Sequence, residues 1–326
     1  MADVLMMARR RVEPAHVLAI LCAVAVLCVV LFMTLGARGS WSFIIPFRGA
    51  KVAQMALVGY AIAVSTVLFQ TVTHNRILTP SIMGFDAMYV LIQTTLVFFI
   101  GGLATATIDP RLMFVLETVL MVAFALALFR WLFTGAQRSL HLLVLVGIII
   151  GTFFRSFSSF MQRIIDPNEF AILQDRFFAS FNTVNSELLL ISSILIGAVS
   201  VVAWRIHSTF DVLALGRENA INLGVDYNRV VRLILILVAI LVSVSTALVG
   251  PVTFFGLLVA NLAYIMIGSA RHRHVIPAAA LLAFICLVGG QMLLERVFAF
   301  NTALSIIIEF LGGVVFILLI LRGAAR

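Results

Sequence analysis

The chain is 326 residues long and 63% hydrophobic, with only 11% of its residues charged and a mean hydropathy of +1.18, far from the balance of soluble globular domains. The composition makes it an integral membrane protein and leaves no stretch that reads as a soluble domain. A formal net charge of +8 would suit nucleic acid, but the basic residues are spread over loop after loop rather than gathered on one face. Topology explains that pattern better.

A bilayer core of ~30 Å needs roughly 20 apolar residues per helix. Hydropathy predicts spans at 16–35, 52–70, 82–101, 112–130, 142–160, 188–206, 231–249, 252–269, 275–294 and 304–321. The expected fold class is therefore all-α, a polytopic membrane protein of about ten transmembrane helices forming one transmembrane domain, 1–326. The first run follows Arg9, Arg10 and Arg11, as in a signal peptide. It is too long for one and no small-residue cleavage site follows, so it reads as a retained helix. Cys22, Cys28 and Cys286 fall within spans without metal-type spacing and read as small core hydrophobes.

With the N-terminus inside, the cytoplasmic segments carry Arg9, Arg10, Arg11, Arg76, Arg130, Arg138, Arg205, Arg217, Arg229, Arg232, Arg271, Arg273, Arg322 and Arg326. That is 14 of the 22 basic residues, which puts both termini in the cytoplasm. His16, His74, His141, His207, His272 and His274 all fall at predicted cytoplasmic edges and read as interface residues, with no carboxylate or cysteine at metal-ligand spacing. The "RHRH" at 271–274 reads as a short positive loop. The longest external connection, 162–187, has helical apolar spacing around Phe170, Leu173, Phe177 and Phe178 and predicts one or two short surface or re-entrant helices.

The chain's single lysine is Lys51, so no P-loop is present and the chain cannot hydrolyse ATP in that way by itself. Neither a His-Glu metal motif nor a Gly-x-Ser-x-Gly elbow occurs. Ionisable residues deep in a membrane cost about 2.5 to 3.5 kcal/mol each. Asp86, Glu117 and Glu187 lie at or near helix ends, whereas Glu309 is about five residues inside its helix. Glu309 reads either as a proton relay or as a helix–helix hydrogen-bonding group.

Residues 213–232, "LALGRENAINLGVDYNRVVR", are polar and fall between the sixth and seventh spans on the cytoplasmic side. Arg217 to Leu223 predicts one or two helical turns, with Gly224 at the C-cap position where a left-handed conformation is cheap for glycine. Ala220, Ile221 and Leu223 give it an apolar side, and Arg217, Glu218 and Asn222 a polar one. A short amphipathic knob of this kind suits docking into a groove of another protein; an ordinary interfacial loop helix has the same pattern.

"LALGRENAINLGVDYNR" resembles the "LxLGxxxAxxLGV" segment of FecCD-type permease subunits, from ABC importers (type II) for ferric siderophores, haem and cobalamin. The likeness covers most of the chain. "GYAIAVSTVLFQTVTHNRILTPSIMGFD" from 59 resembles that family's second and third helices with Gln70, Asn75, Pro80 and Gly84. "GPVTFFGLLVAN" at 250–261 is similar to its "GxIxFVGLxxPH", and "FLGGVVFILLILR" at 310–322 to its "LGxPxFxxLL" ending. The family's Pro-His is Ala260-Asn261 here, Arg76 replaces the proline after Asn75, and an external "ELPxG" is "NTALS" at 301–305. These variants look like the siderophore branch, whose members usually pair with a second, different permease.

The resemblance implies a bacterial inner-membrane permease with no cofactor of its own, ATP and Mg being held by a cytoplasmic ABC ATPase dimer. Leu215, Gly216, Ala220, Leu223, Gly224 and Val225, with Arg217 and Glu218 between them, would couple to that dimer. A substrate-binding protein delivering the ferric siderophore would dock on Arg48 and Lys51, which match two basic positions by spacing back from Gly59. Arg296 lies near a third position, two residues out of register. Gly147, Gly151 and Thr152 in the fifth span would line the pathway; close helix packing explains them equally. Lipid is the remaining expected partner, and nucleic acid is not one. An ion-driven secondary carrier, or haem or cobalamin as cargo, is the competing reading. Glu309→Gln separates the two engines: uptake of the chelate by membrane vesicles is abolished if Glu309 carries the driving proton and largely intact if ATP does the driving.

Overall fold

A computed structural model describes residues 13–37, 40–133, 140–300 and 302–324; Arg9, Arg10, Arg11, Arg138, Asn301 and Arg326 lie outside the described residues. The chain order is α1 (Pro14–Thr34), α2 (Trp41–Thr73), a 3₁₀ turn (Pro80–Met83), α3 (Phe85–Ile100), α4 (Gly102–Ala106), α5 (Pro110–Phe133), α6 (Leu140–Gln162), α7 (Pro167–Asp175), α8 (Ser186–Arg205), α9 (His207–Leu213), α10 (Arg217–Asn222), α11 (Tyr227–Val249), α12 (Phe255–Ile267), α13 (His272–Arg296) and α14 (Leu304–Ala324). Seven described helices, α1, α2, α5, α6, α8, α11 and α13, are long and apolar enough to cross a membrane. Shorter apolar helices, α3, α12 and the Leu304–Val314 part of α14, cover the other expected spans.

Helix α2 is the axis of the bundle. Ala61, Val64, Leu68, Phe69 and Val72 enter one apolar core with α3, α5, α6, α8 and α11. Met55, Val58, Ala63 and Val67 enter a second core with α1, α12, α13 and α14. A helix buried on both faces carries apolar residues all round rather than in one stripe. Gly59 lets α13 approach closely, since a Cβ there would sit 3.2 Å from Leu287 and 3.3 Å from Ala283.

Sequence hydropathy starts the second helix at 52, but α2 starts at Trp41, 33 residues long. Pro46 removes one helical hydrogen bond near that end. The charges that interrupt the apolar run, Arg48 and Lys51, are turned onto partners within the chain, so the helix continues through them.

After α2 the chain does not run straight into α3. His74 closes α2 in the left-handed region (φ 50°), and the Arg76 carbonyl then accepts from Gln70 Nε2 at 2.7 Å and Asn261 Nδ2 at 3.0 Å. Thr79, Pro80 and Ser81 fold back beside Ile62, Ser65 and Thr66 of α2, where they line a small cavity with Gly250, Val252 and Thr253. Ile62 to Thr66 are about two to three turns in from the end of α2. Two non-helical stretches therefore meet inside the bundle, as backbone does only where protein rather than lipid surrounds it. Gly84 (φ 98°) ends the 3₁₀ turn in a conformation that favours glycine.

Helix α6 lies directly on that turn. A Cβ at Gly151 would come within 2.9 Å of Gly84 Cα, and one at Gly147 within 3.1 Å of Met83 Cα. Gly151→Leu forces α6 off the turn, a loss of about 1–3 kcal/mol by overpacking, and a lower midpoint in detergent melts is expected. Gly289→Ala, a helical position where an added Cβ meets nothing within 4 Å, leaves the midpoint unchanged or slightly higher. Equal midpoints for Gly151→Leu and the parent would refute the close contact.

Candidate functional site

The polar segment between α8 and α11 folds into two short helices. Gly216 opens α10 at φ 97°, ψ 164°, a region essentially reserved for glycine. At the other end Gly224 (φ 84°) closes α10 with two bonds, its own N–H to Ile221 O at 2.9 Å and the Val225 N–H to Ala220 O at 3.0 Å. This is the paired C-terminal cap in which a left-handed glycine satisfies the last carbonyls. Asp226 then starts α11 by accepting from the Arg229 N–H at 3.2 Å.

Between these glycines the side chains divide differently from the sequence expectation. Ala220 is fully buried, but Ile221 and Leu223 are 51% and 63% exposed and, with Leu215 at 58%, leave apolar side chains outward. Arg217 lies over the Tyr227 ring at 5.9 Å, and Glu218 is exposed. The result is an apolar knob with a charged rim, held between two glycines, the kind of exposed patch that interaction surfaces use.

The knob is fastened to the bundle from behind. Phe210 and Leu213 of α9 are buried, and Asp211 beside them binds α13. Its Oδ1 accepts from the His272 backbone N–H at 2.9 Å and lies 2.6 Å from His272 Nδ1. The other ring nitrogen, Nε2, is 2.6 Å from Thr71 Oγ1 on α2. Burial raises the Asp211 pKa, but the hydrogen bonds from the His272 amide and ring outweigh it and hold the carboxyl below its ordinary range. Sequence reading placed His272 at an interface and did not single out Asp211 or Thr71. These positions are 61 and 201 residues from His272, so no local pattern joins them.

The three basic residues expected at the outer face all turn toward the chain itself. Arg48 Nη1 donates to the carbonyls of Phe32 at 2.6 Å and Leu35 at 2.9 Å, and Arg296 Nη2 also donates to Leu35 O. Both guanidinium groups satisfy carbonyls left open at the end of α1. Lys51 is not on the surface: it is buried, with Nζ 3.5 Å from Glu295 Oε1 and 5.0 Å from the Phe47 ring. Glu295 also accepts from Gln291 Nε2 at 3.0 Å, and Gln291 Nε2 donates to Asn182 Oδ1 of the 162–187 connection at 2.9 Å. Arg296 is exposed and Arg48 partly so, which leaves Arg296 as the outermost of the three.

The 162–187 connection, expected on the outer side, holds one helix, α7, capped by Asp166 accepting from the Asn168 N–H. Phe177 and Phe178 lie beyond it. The segment is anchored by buried Leu173, by the Ser180 N–H on Val249 O at 2.8 Å and by Arg176 Nη1 on Gln93 Oε1 at 3.0 Å. Gln93 Nε2 in turn donates to the buried Glu117 at 2.6 Å. Of the expected pathway residues, Gly147 and Gly151 face the Pro80–Met83 turn, whereas Thr152 is exposed with its hydroxyl on Ile148 O at 2.8 Å. Thr253 Oγ1 donates to Asp86 Oδ2 at 2.8 Å, while its backbone N–H faces Glu309. Among the described residues no three His, Cys, Asp or Glu side chains are close enough together to hold a metal ion.

Comparison with known proteins places this geometry. The FecCD transport family matches residues 5–322. The petrobactin import system permease protein YclO of Bacillus subtilis strain 168 is 48% identical over 305 residues, covering 94% of this chain and 96% of that one. The petrobactin import system permease protein FatC of Bacillus anthracis is 40% identical over 286 residues, 87% of this chain and 81% of its own. Among solved structures, an inward-facing metal-chelate type ABC transporter superposes with a TM-score of 0.83 over 95% of this chain and 100% of that chain, at 22% identity; that likeness concerns the fold.

The buried pair Lys51–Glu295 gives a sharp test of this cluster. Glu295→Ala leaves an uncompensated buried ammonium and is expected to cost about 3–5 kcal/mol, whereas Lys51→Met combined with Glu295→Leu recovers most of that loss. Detergent melts of the three proteins check this. A Glu295→Ala protein as stable as the double variant would show that Lys51 reaches water.

Proposed function

The chain belongs to the FecCD transport family, and on that premise we propose that it is the transmembrane permease subunit of an ATP-driven importer of a ferric siderophore. The cargo is proposed from one observation, the near full-length identity of 48% with a petrobactin import permease. A binding protein delivers the chelate to the outer face of the cell's inner membrane, and the permease passes it inward by alternating access, each ligand favouring one of two states. The permease makes and breaks no covalent bond; ATP and Mg belong to a partner ATPase dimer.

The proposed topology has ten crossings with both termini cytoplasmic. The seven long apolar helices, together with α3, α12 and α14, supply those crossings. The inside position of 213–232 puts the knob where an ATPase can reach it. Leu215, Ile221 and Leu223, exposed on a segment fixed by Gly216 and Gly224, are its contact surface. On the outer side Arg296, with Arg48 behind it, forms the basic docking point for acidic groups of the binding protein, while Lys51 supports that end of α2 from inside. Rim charges of this kind chiefly set orientation and on-rate. A second permease, most simply a different paralogous chain, completes the pathway beside α6, with Thr152 on its wall.

Purification of the tagged protein from native membranes in mild detergent, with mass spectrometry of the co-purifying chains, tests this reading. A P-loop ATPase is expected with the parent protein and is lost when Gly216, Glu218 and Gly224 are replaced together. Uptake of ferric petrobactin is lost with it. A chain that comes out alone, or only with itself, has no ATP-driven engine and sinks the proposal.

A further inference from the structure

An importer of this design has to carry the displacement of a cytoplasmic knob into the membrane helices, and the chain connections through α8 and α11 are only one route. The other is side-chain contact, and its hydrogen-bonded reach onto α13 and α2 is the Asp211–His272–Thr71 chain. We propose that Asp211, His272 and Thr71 form a clamp that makes α9 and α10 move as one body with α13 and α2, coupling ATP use to transport; the inference rests on the importer reading above.

Three observations carry it. His272 is the first residue of α13, so its backbone N–H is one of the donors that a helix leaves open at its start. Asp211, on a different helix, fills it at 2.9 Å, and a carboxylate at that end is also favoured by the helix dipole. The same oxygen orients the His272 ring from 2.6 Å, and an ionised carboxylate can only accept, so Nδ1 donates. The ring is 2% exposed, stands edge-on to Phe210 at 5.7 Å and meets Thr71 Oγ1 at 2.6 Å. Thr71 lies in the last turn of α2, the helix that enters both apolar cores. One imidazole thus ties the knob's base to two long helices at once, through two hydrogen-bond contacts of 2.6 Å.

The far ends of those two helices show where the motion goes. Near its other end α13 carries Gln291 and Glu295, bonded to Asn182 of the external segment and to Lys51 of α2. A helix clamped at both ends is a rigid element joining the two faces. These residues act through others and touch neither ATP nor cargo, so they are positioning residues.

The experiment uses the importer reconstituted with its ATPase and binding protein in liposomes and reads ATP hydrolysed per ferric petrobactin imported. His272→Ala and Asp211→Ala are each expected to raise that ratio roughly five- to tenfold, the scale of leaving one buried partner unsatisfied. The double variant is no worse than either single, because both remove the same link. Asp211→Asn, whose carbonyl still accepts from the His272 amide and ring, restores the ratio to within about twofold of the parent. A purely structural role moves ATPase co-purification instead of the ratio. An unchanged ratio in both alanine variants overturns the clamp. So does loss of the ATPase from those variants while the parent retains it, since the network then only folds the knob. Absence of the ATPase from the parent as well overturns the importer reading, and the clamp with it.

Discussion

Backbone amides and carbonyls inside an apolar surrounding have no water to turn to, and this constraint governs where the chain's few polar side chains go. At the end of α1, Arg48 takes up the carbonyl of the buried Phe32. The Arg76 carbonyl, in the stretch that folds back into the bundle, is met by two side-chain amides. The first turn of α13 is closed by Asp211 from another helix, and the 162–187 connection is pinned by the Ser180 amide on Val249. With 11% of residues charged, much of the polar inventory secures helix ends and breaks, and the transmembrane helices are held together chiefly by apolar and small-residue packing.

The same constraint separates what the sequence makes legible from what it hides. Hydropathy locates the long helices because burial in lipid or protein demands an unbroken apolar run. The turns of 213–232 are legible because Gly216 and Gly224 adopt backbone conformations that few other residues tolerate. The start of α2 is not legible: Pro46, Arg48 and Lys51 look like a loop until their partners, 16 residues back for Arg48 and 244 residues ahead for Lys51, are known. The clamp at His272 is hidden for the same reason. Spacing along a chain reports neighbours on one helix, and these contacts join different helices.

Site chemistry follows the same division. The knob is a local feature, so its outline can be read from twenty residues of sequence. Its direction cannot: Ala220 turns inward while Ile221 and Leu223 turn out, a split decided by where α9 and α11 hold it. Gly147 and Gly151 show the converse. Small residues at helical spacing mark a close approach, but only the fold reveals that the approaching group is the Met83–Gly84 backbone.

Helix α2 has one more consequence. Its 33 residues rise about 50 Å at 1.5 Å per residue, against ~30 Å of hydrocarbon. A lone helix of that length would simply tilt until its apolar part fitted. Helix α2 is gripped on both faces by the two cores, so it cannot lean without the bundle leaning too. The height at which the Trp41 end of α2 stands in a bilayer is therefore set by the whole assembly of helices, and a thicker or thinner bilayer strains the entire protein rather than one segment of it.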